Sequence, residues 1–253
     1  MRINKIMKRL LPFKSNSASL TVVGVGPGDS SLLTIAAVEA IKKAKVIVFP
    51  ISGNDKKSFS AEIVKKYTKF KKKIPIIFPM ARKEHNPEEI WSNAVDIIVK
   101  FITKNESVVL LCLGDTSLFA SSSNILKIIN NNYPEIMTRT IPGISSISAA
   151  AAISNFNLAQ KGETLVIKEC PSNKDELVDL LIQNREKRTI LVFMKVGKRW
   201  GWVKEVLIKE NFINRSVIAL NLGMPNQVVE NTSTFDLNEI PYFSLLLLRF
   251  NND

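Results

Sequence analysis

Residues 22–34 read VVGVGPGDSSLLT, a β-branched run that feeds three glycines and a proline within Gly24–Gly28, followed by a helix-like pattern. Glycines at such a junction allow backbone torsions closed to other residues and let a ligand approach the main chain. Two common ligand loops do not fit. A dinucleotide fingerprint needs a third glycine where Asp29 stands, and an acidic residue closing the second strand. That strand, KVIVFP over 45–50, closes with Phe49 and Pro50. A phosphate-binding P-loop needs Gly-Lys-Ser/Thr, which is absent. What remains is Gly-x-Gly-Pro-Gly-Asp, stiffened at Pro27, with Asp29, Ser30 or Ser31 placed to accept from the amides that open a helix.

Outward from this loop, strands and helices alternate. LTVVGVG reads as a strand and SSLLTIAAVEAIKKA as a helix. KVIVFP is a strand stopped by Pro50, SAEIVKKYTKF an amphipathic helix, and KKIPIIFP a third strand. NPEEIWSNAVDIIVKFITKN predicts a long helix with Asn86 as its cap. SVVLLCLGD has the continuous apolar character of a strand buried on both faces. SSSNILKIINNNY is helical, and a short strand, a tight turn and an alanine-rich helix follow in RTIPGISSISAAAAISNFN. In the second half GETLVIKEC, RTILVFMKV, SVIALNLGM and FSLLLLRF are strands, with helices in KDELVDLLIQN and RWGWVKEVLIKENF. The fold class is α/β, with a mostly parallel sheet expected in each half. The expected divisions are a basic, flexible extension over 1–18, an N-terminal α/β domain over 19–140 and a C-terminal α/β domain over 141–253.

Composition narrows the chemistry. Thirty-five Lys and Arg against 23 Asp and Glu give a net charge of +12, which favours anionic partners. Cys112 and Cys170 lie far apart without CxxC spacing, and His85 is the one histidine of the chain. That pattern argues against a metal site and a disulfide framework, and the expected setting is a reducing cytoplasm. No apolar run approaches the roughly 18 residues of a membrane span.

The glycine loop and four further stretches, in order, resemble the tetrapyrrole methylase family. They are LCLGDTSLFASSSNIL (111–126), IPGISSISAAAA (141–152), ILVFMKVGK (190–198) and VIALNLG (217–223). The resemblance implies two α/β domains with the active site in the trough between them, S-adenosylmethionine as methyl donor, a tetrapyrrole substrate and a homodimer. No membrane and no nucleic-acid partner are expected. FPMARKEHNPEEIW, PGISSISAAAA and FMKVGK are most similar to members that methylate C20 of precorrin-2, a polycarboxylate, or of its cobalt form.

Carried over residue by residue, the resemblance assigns the donor to Pro27, Gly114, Asp115, Thr116 and Leu118. It assigns to the same donor Ser145, Ser146, Met194, Ala219, Gly223 and Ser244. Thr116 stands where the family usually has proline. Substrate contacts are expected at Gly26, Arg82 and His85, where arginine can grip a carboxylate in two-point fashion. Ser145 and Ser146 also suit helix capping, and Trp200 and Trp202 suit either stacking on a ring or packing. Related uroporphyrinogen methylases carry an aspartate where Pro50 stands; here Glu163 in KGETL is a candidate acid–base group, with the ring nitrogens or solvent as the alternatives. Two other readings keep the fold and change the activity. One is a relative acting on another tetrapyrrole or on RNA, and the other is a non-catalytic binding protein. Against RNA, basic residues are not interleaved with exposed aromatics in a recognisable module.

Overall fold

The computed structural model describes residues 18–53, 57–78 and 86–250. The extension up to residue 17, Arg82 and His85 lie outside the described residues. The chain divides into two compact units, the first ending at Ser145 and the second running from Ser146.

The first unit holds β1 (Ser19–Gly24), β2 (Val46–Ile51), β3 (Lys72–Ile77), β4 (Val108–Cys112) and β5 (Met137–Ile141). They form one sheet in the order β3-β2-β4-β1-β5, with every neighbouring pair parallel. Its helices are α1 (Ile35–Lys43), α2 (Phe59–Ile63), α3 (Pro87–Ile102) and α4 (Ser122–Asn132). The central strands β1 and β4 are buried along their whole length, because helices cover both faces. Leu20, Val22 and Leu110 pack with Ile98, Ile125 and Ile129 on one face, while Val23, Val109 and Leu111 pack with Ala37 and Ile41 on the other. Each fully buried aliphatic side chain of this kind contributes roughly 1.5–3 kcal/mol.

Three local expectations change. The helix after the glycine loop starts late: Ser30–Leu32 forms a 3-10 turn capped by Asp29, and α1 follows with Thr34 Oγ1 accepting from the Ala37 amide at 3.1 Å. Strand β2 runs through Pro50 to Ile51 instead of stopping there. Its pairing with β4 covers only Val46–Val48, whereas β3 pairs along its full length, so no ladder on the β4 side needs a Pro50 donor. The helix expected over 60–70 breaks after Ile63 into a 3-10 turn over Lys65–Tyr67. There the Thr68 hydroxyl bonds back to the Val64 carbonyl at 3.3 Å, the kind of side-chain bond that competes with helix continuation.

The second unit runs α5 (Ser146–Ser154), β6 (Thr164–Glu169), α6 (Lys174–Asn184), β7 (Thr189–Met194) and α7 (Trp200–Lys209). Strands β8 (Ser216–Leu220), β9 (Val228–Asn231) and β10 (Ser244–Arg249) complete it. Its sheet order is β6-β7-β10-β8-β9. The expected parallel sheet is wrong here: β6 and β7 are parallel, and the other three pairings are antiparallel. The short 221–227 connection between β8 and β9 cannot make the dozen-residue crossover that a parallel return requires. SLLLLR in β10 is buried whichever way it runs, so its apolar pattern carries no direction. Trp200 resolves as a packing anchor. It is fully buried, donates its indole N–H to the Leu237 carbonyl at 2.8 Å, and meets Phe235 edge-on.

Candidate functional site

In the first unit the parallel strands β1, β4 and β5 end side by side, with Gly24 opposite Cys112 and Val23 opposite Ile141. Their three following loops therefore meet. Gly26 and Gly114 exchange backbone hydrogen bonds, 3.2 Å from the Gly26 amide and 2.8 Å from the Gly114 amide. Both have positive φ, 77° and 74°, a conformation that glycine adopts without a Cβ penalty. Gly24 and Gly143 are glycines for another reason. A Cβ on Gly143 would stand 2.2 Å from the Gly114 carbonyl oxygen and 2.7 Å from the Gly24 carbonyl carbon. A Cβ on Gly24 would meet the Gly143 amide nitrogen at 2.4 Å. Three main chains touch at one point because Gly24 and Gly143 carry no side chain there.

Asp115 fastens the junction. One carboxylate oxygen accepts from the Gly143 amide at 3.1 Å, and the other accepts from the Ser117 amide at 2.8 Å and from the Ser117 hydroxyl. Burial alone would raise the Asp115 pKa and is the largest single influence. The bonds from Ser117, Gly143 and Thr116 together outweigh it, and the carboxyl is held below its ordinary range. Asp29 is likewise held low, chiefly by the Ser31 amide that it caps at 2.7 Å. Cys112, beneath the junction, is pushed up to about 11 by burial, so it is a neutral thiol at physiological pH.

The first unit thus brings Gly26, Pro27, Gly114, Asp115, Thr116, Leu118 and Ser145 to the carboxyl ends of one parallel sheet, where open α/β folds bind ligands. Gly26, Pro27 and Thr116 are buried there, and Leu118 and Ser145 are half-buried. A Cβ at Gly114 would point into open space, so this backbone faces outward. Gly24, Gly143 and Ser117 were given no individual role from sequence. The available signal was Pro-Gly in IPGISS, whose glycine serves close approach rather than turning.

In the second unit Met194, Leu245 and Ala219 stand in register across β7, β10 and β8 and share one face of the sheet. Beyond β7 the chain turns through Lys195 at φ 59° and Gly197 at φ 44°. Gly197 donates its amide to the buried Ser244 hydroxyl at 2.8 Å. Gly223, at φ 70°, donates to Gln227 Oε1 at 2.7 Å in the loop after β8. Ser146 opens α5. Since the Ser244 hydroxyl ties the post-β7 loop to β10, Ser244→Ala is expected to cost about 1 kcal/mol by leaving a buried amide without its acceptor. Chemical denaturation measures it.

Glu163 is not part of this edge. It precedes β6, at the opposite end of the sheet from Met194, and its side chain is only 2% exposed. One oxygen pairs with Arg249, and the other accepts from the Gln160 amide at 2.6 Å. Both oxygens are engaged in holding the turn into β6, and the acid–base role expected from sequence finds no support in this placement.

The family model for tetrapyrrole (corrin/porphyrin) methylases matches residues 19–238. The chain belongs to that family. A probable cobalt-precorrin-2 C(20)-methyltransferase of Methanocaldococcus jannaschii is 35% identical over 153 residues, which span 60% of this chain and 64% of that protein. The cobalt-precorrin-2 C(20)-methyltransferase of Salmonella typhimurium is 23% identical over 92% of this chain and 96% of its own length. The crystal structure of a cobalamin biosynthetic enzyme, cobalt precorrin-4 methyltransferase, shares the fold at a TM-score of 0.68 and 17% identity, covering 95% of this chain and 98% of that one. This tetrapyrrole methylase is therefore a methyltransferase with two α/β units, and its glycine junction lies within the matched region.

Proposed function

We propose that this chain transfers a methyl group from S-adenosylmethionine to C20 of precorrin-2 or its cobalt form in cobalamin biosynthesis. The observation that carries the reading is the alignment with a C20-methyltransferase over 92% of the chain. The glycine junction supports it physically. A donor that joins an amino-acid end to a nucleoside needs outward-facing backbone in one place and an apolar slot in another. Gly114 has open space before it, and Met194, Leu245 and Ala219 form an apolar row. In the first unit this reading takes Gly114–Leu118 and Ser145 for the donor's amino-acid end; Met194, Ala219 and Gly223 are carried from the family resemblance for its nucleoside. Pro27, Ser146 and Ser244 are carried with them, and Gly26, Arg82 and His85 are assigned to substrate.

When bound, the donor supplies a methyl already activated on a sulfonium. What this chain must do is orient, and well-oriented reactants can gain several orders of magnitude in rate. The Asp115 carboxylate, with both oxygens accepting hydrogen bonds, positions the loops rather than moving a proton. The reading includes a homodimer in the cytoplasm, and a single-chain mass by light scattering would overturn the dimer.

The test is anaerobic incubation with S-adenosylmethionine and precorrin-2, with and without cobalt in the ring. One added methyl, placed at C20 by NMR, is the expected result and identifies the accepted form. A methyl at another ring carbon, or donor binding with neither form methylated, would sink the C20 assignment.

A further inference from the structure

The edge of the first unit opposite the glycine junction has a chemistry that methyl transfer does not use. All five strands run the same way, so β1, β2, β3 and β4 begin together on this edge, where α1 ends. Lys42 and Lys43 close α1, and Lys45 precedes β2. The turn into β3 adds Lys66 and Lys69, and β3 itself opens with Lys72 and Lys73. All seven of these lysines are exposed. The turn is fastened to the helix end because Lys71 Nζ donates to the carbonyls of Lys42 at 2.7 Å and Ala44 at 2.6 Å. The two basic stretches are therefore one surface. Glu62 on this side is already paired with Lys65.

At the tip of the turn stands Phe70, 93% exposed, with the Lys69 ammonium 5.5 Å from its ring centre. This large apolar side chain stands exposed among the ammonium groups of the basic surface. Tyr67 shares the turn, but Lys66 and Lys42 lie over its ring at 5.0 and 5.6 Å. A nucleic-acid track needs successive aromatic faces open to stacking, and here both rings already carry a lysine ammonium at 5.0–5.6 Å. A lone apolar wedge among lysines instead matches a bilayer interface, where the ring enters the headgroup boundary and the ammonium groups meet anionic lipid.

We propose that the strand-start edge of the first unit, with Phe70 at its tip, is a docking surface for an anionic lipid bilayer. Contact is peripheral, since no helix among the described residues is long and apolar enough to cross a membrane. The linear sequence hid this surface, because residue order does not show that α1 and the turn into β3 share an edge.

The experiment is co-sedimentation of the full chain with phosphatidylcholine vesicles, with or without phosphatidylglycerol. Binding is expected to the anionic vesicles alone and to fall as salt rises. Combining Lys43→Gln, Lys69→Gln and Lys73→Gln is expected to weaken partitioning on the order of a hundredfold, from about fivefold per lysine. The matching Lys→Arg variant keeps binding, and Phe70→Ser loses about tenfold. Unchanged melting temperatures certify that the variants fold. Equal binding to neutral vesicles, none to anionic ones, or full binding by both the Gln and Ser variants would overturn the proposal. Retention of single-stranded RNA without vesicle binding would overturn it in favour of a nucleic-acid surface.

Discussion

Gly143→Ala is expected to lower stability by about 3 kcal/mol, the upper end of overpacking penalties, and the melting temperature by roughly 6–12 °C. The cause is local and severe. The new methyl would stand 2.2 Å from the Gly114 carbonyl oxygen and 2.7 Å from the Gly24 carbonyl carbon, and both are main-chain atoms. A flexible side chain could swing away, but these atoms belong to loops fixed by the exchanged bonds between Gly26 and Gly114. Relief requires the loop after β5 to lift, which stretches the 3.1 Å bond from the Gly143 amide to Asp115. Donor affinity, measured by calorimetry on the folded fraction, should fall with stability. Gly201→Ala is the control. Nothing lies within 4 Å of a Cβ there and the position is helical, so the change should be neutral or stabilising by up to about 1 kcal/mol. A melting temperature for Gly143→Ala within a degree or so of the parent would mean that the three loops are not held in contact.

How much of this was legible in the sequence differs between the units. Strand β4 showed itself as a strand buried on both faces because helices on both sides make such a strand apolar throughout. Asn86 announced α3, and its side chain does accept from the Glu88 amide at 3.1 Å. The glycine loop was legible as a junction between strand and helix, and its ordered neighbours supplied the family. The direction of β10 was not legible, because SLLLLR reads as buried in either direction and neighbour pairing decides. Nor was the difference between Gly26 and Gly24 legible. One is glycine for its φ and the other for the nearness of Gly143, a residue more than a hundred positions away. Glu163 shows the opposite error. A carboxylate beside a strand start resembled a spare acid, and only the fold reveals Arg249 waiting for it across 86 residues of chain.

Asp115→Ala is expected to cost about 2 kcal/mol at neutral pH, a value set by charge-assisted hydrogen bonds and discounted for partial exposure. The substitution strands the Gly143 amide and releases Ser117, so the loops after β4 and β5 lose the group that joins them. Asp115→Asn separates charge from geometry, since the amide keeps one carbonyl oxygen and loses the other acceptor. Its penalty should lie between the parent and the alanine variant. The pH dependence follows from the direction of the shift. A carboxyl held below its ordinary value in the folded protein stabilises fully above its unfolded pKa, and that contribution drains away as pH falls through the lowered folded value. The stability gap between the parent and Asp115→Asn should therefore be constant from about pH 7 to about pH 5 and shrink below about pH 4. Denaturant titrations across that range measure it. A gap that stays constant into strong acid would assign the effect of Asp115 to shape and packing alone, and the charged latch between the two loops would be refuted. A gap that closes, together with weaker donor binding in both variants at neutral pH, ties the ionised carboxylate to the geometry on which methyl transfer depends.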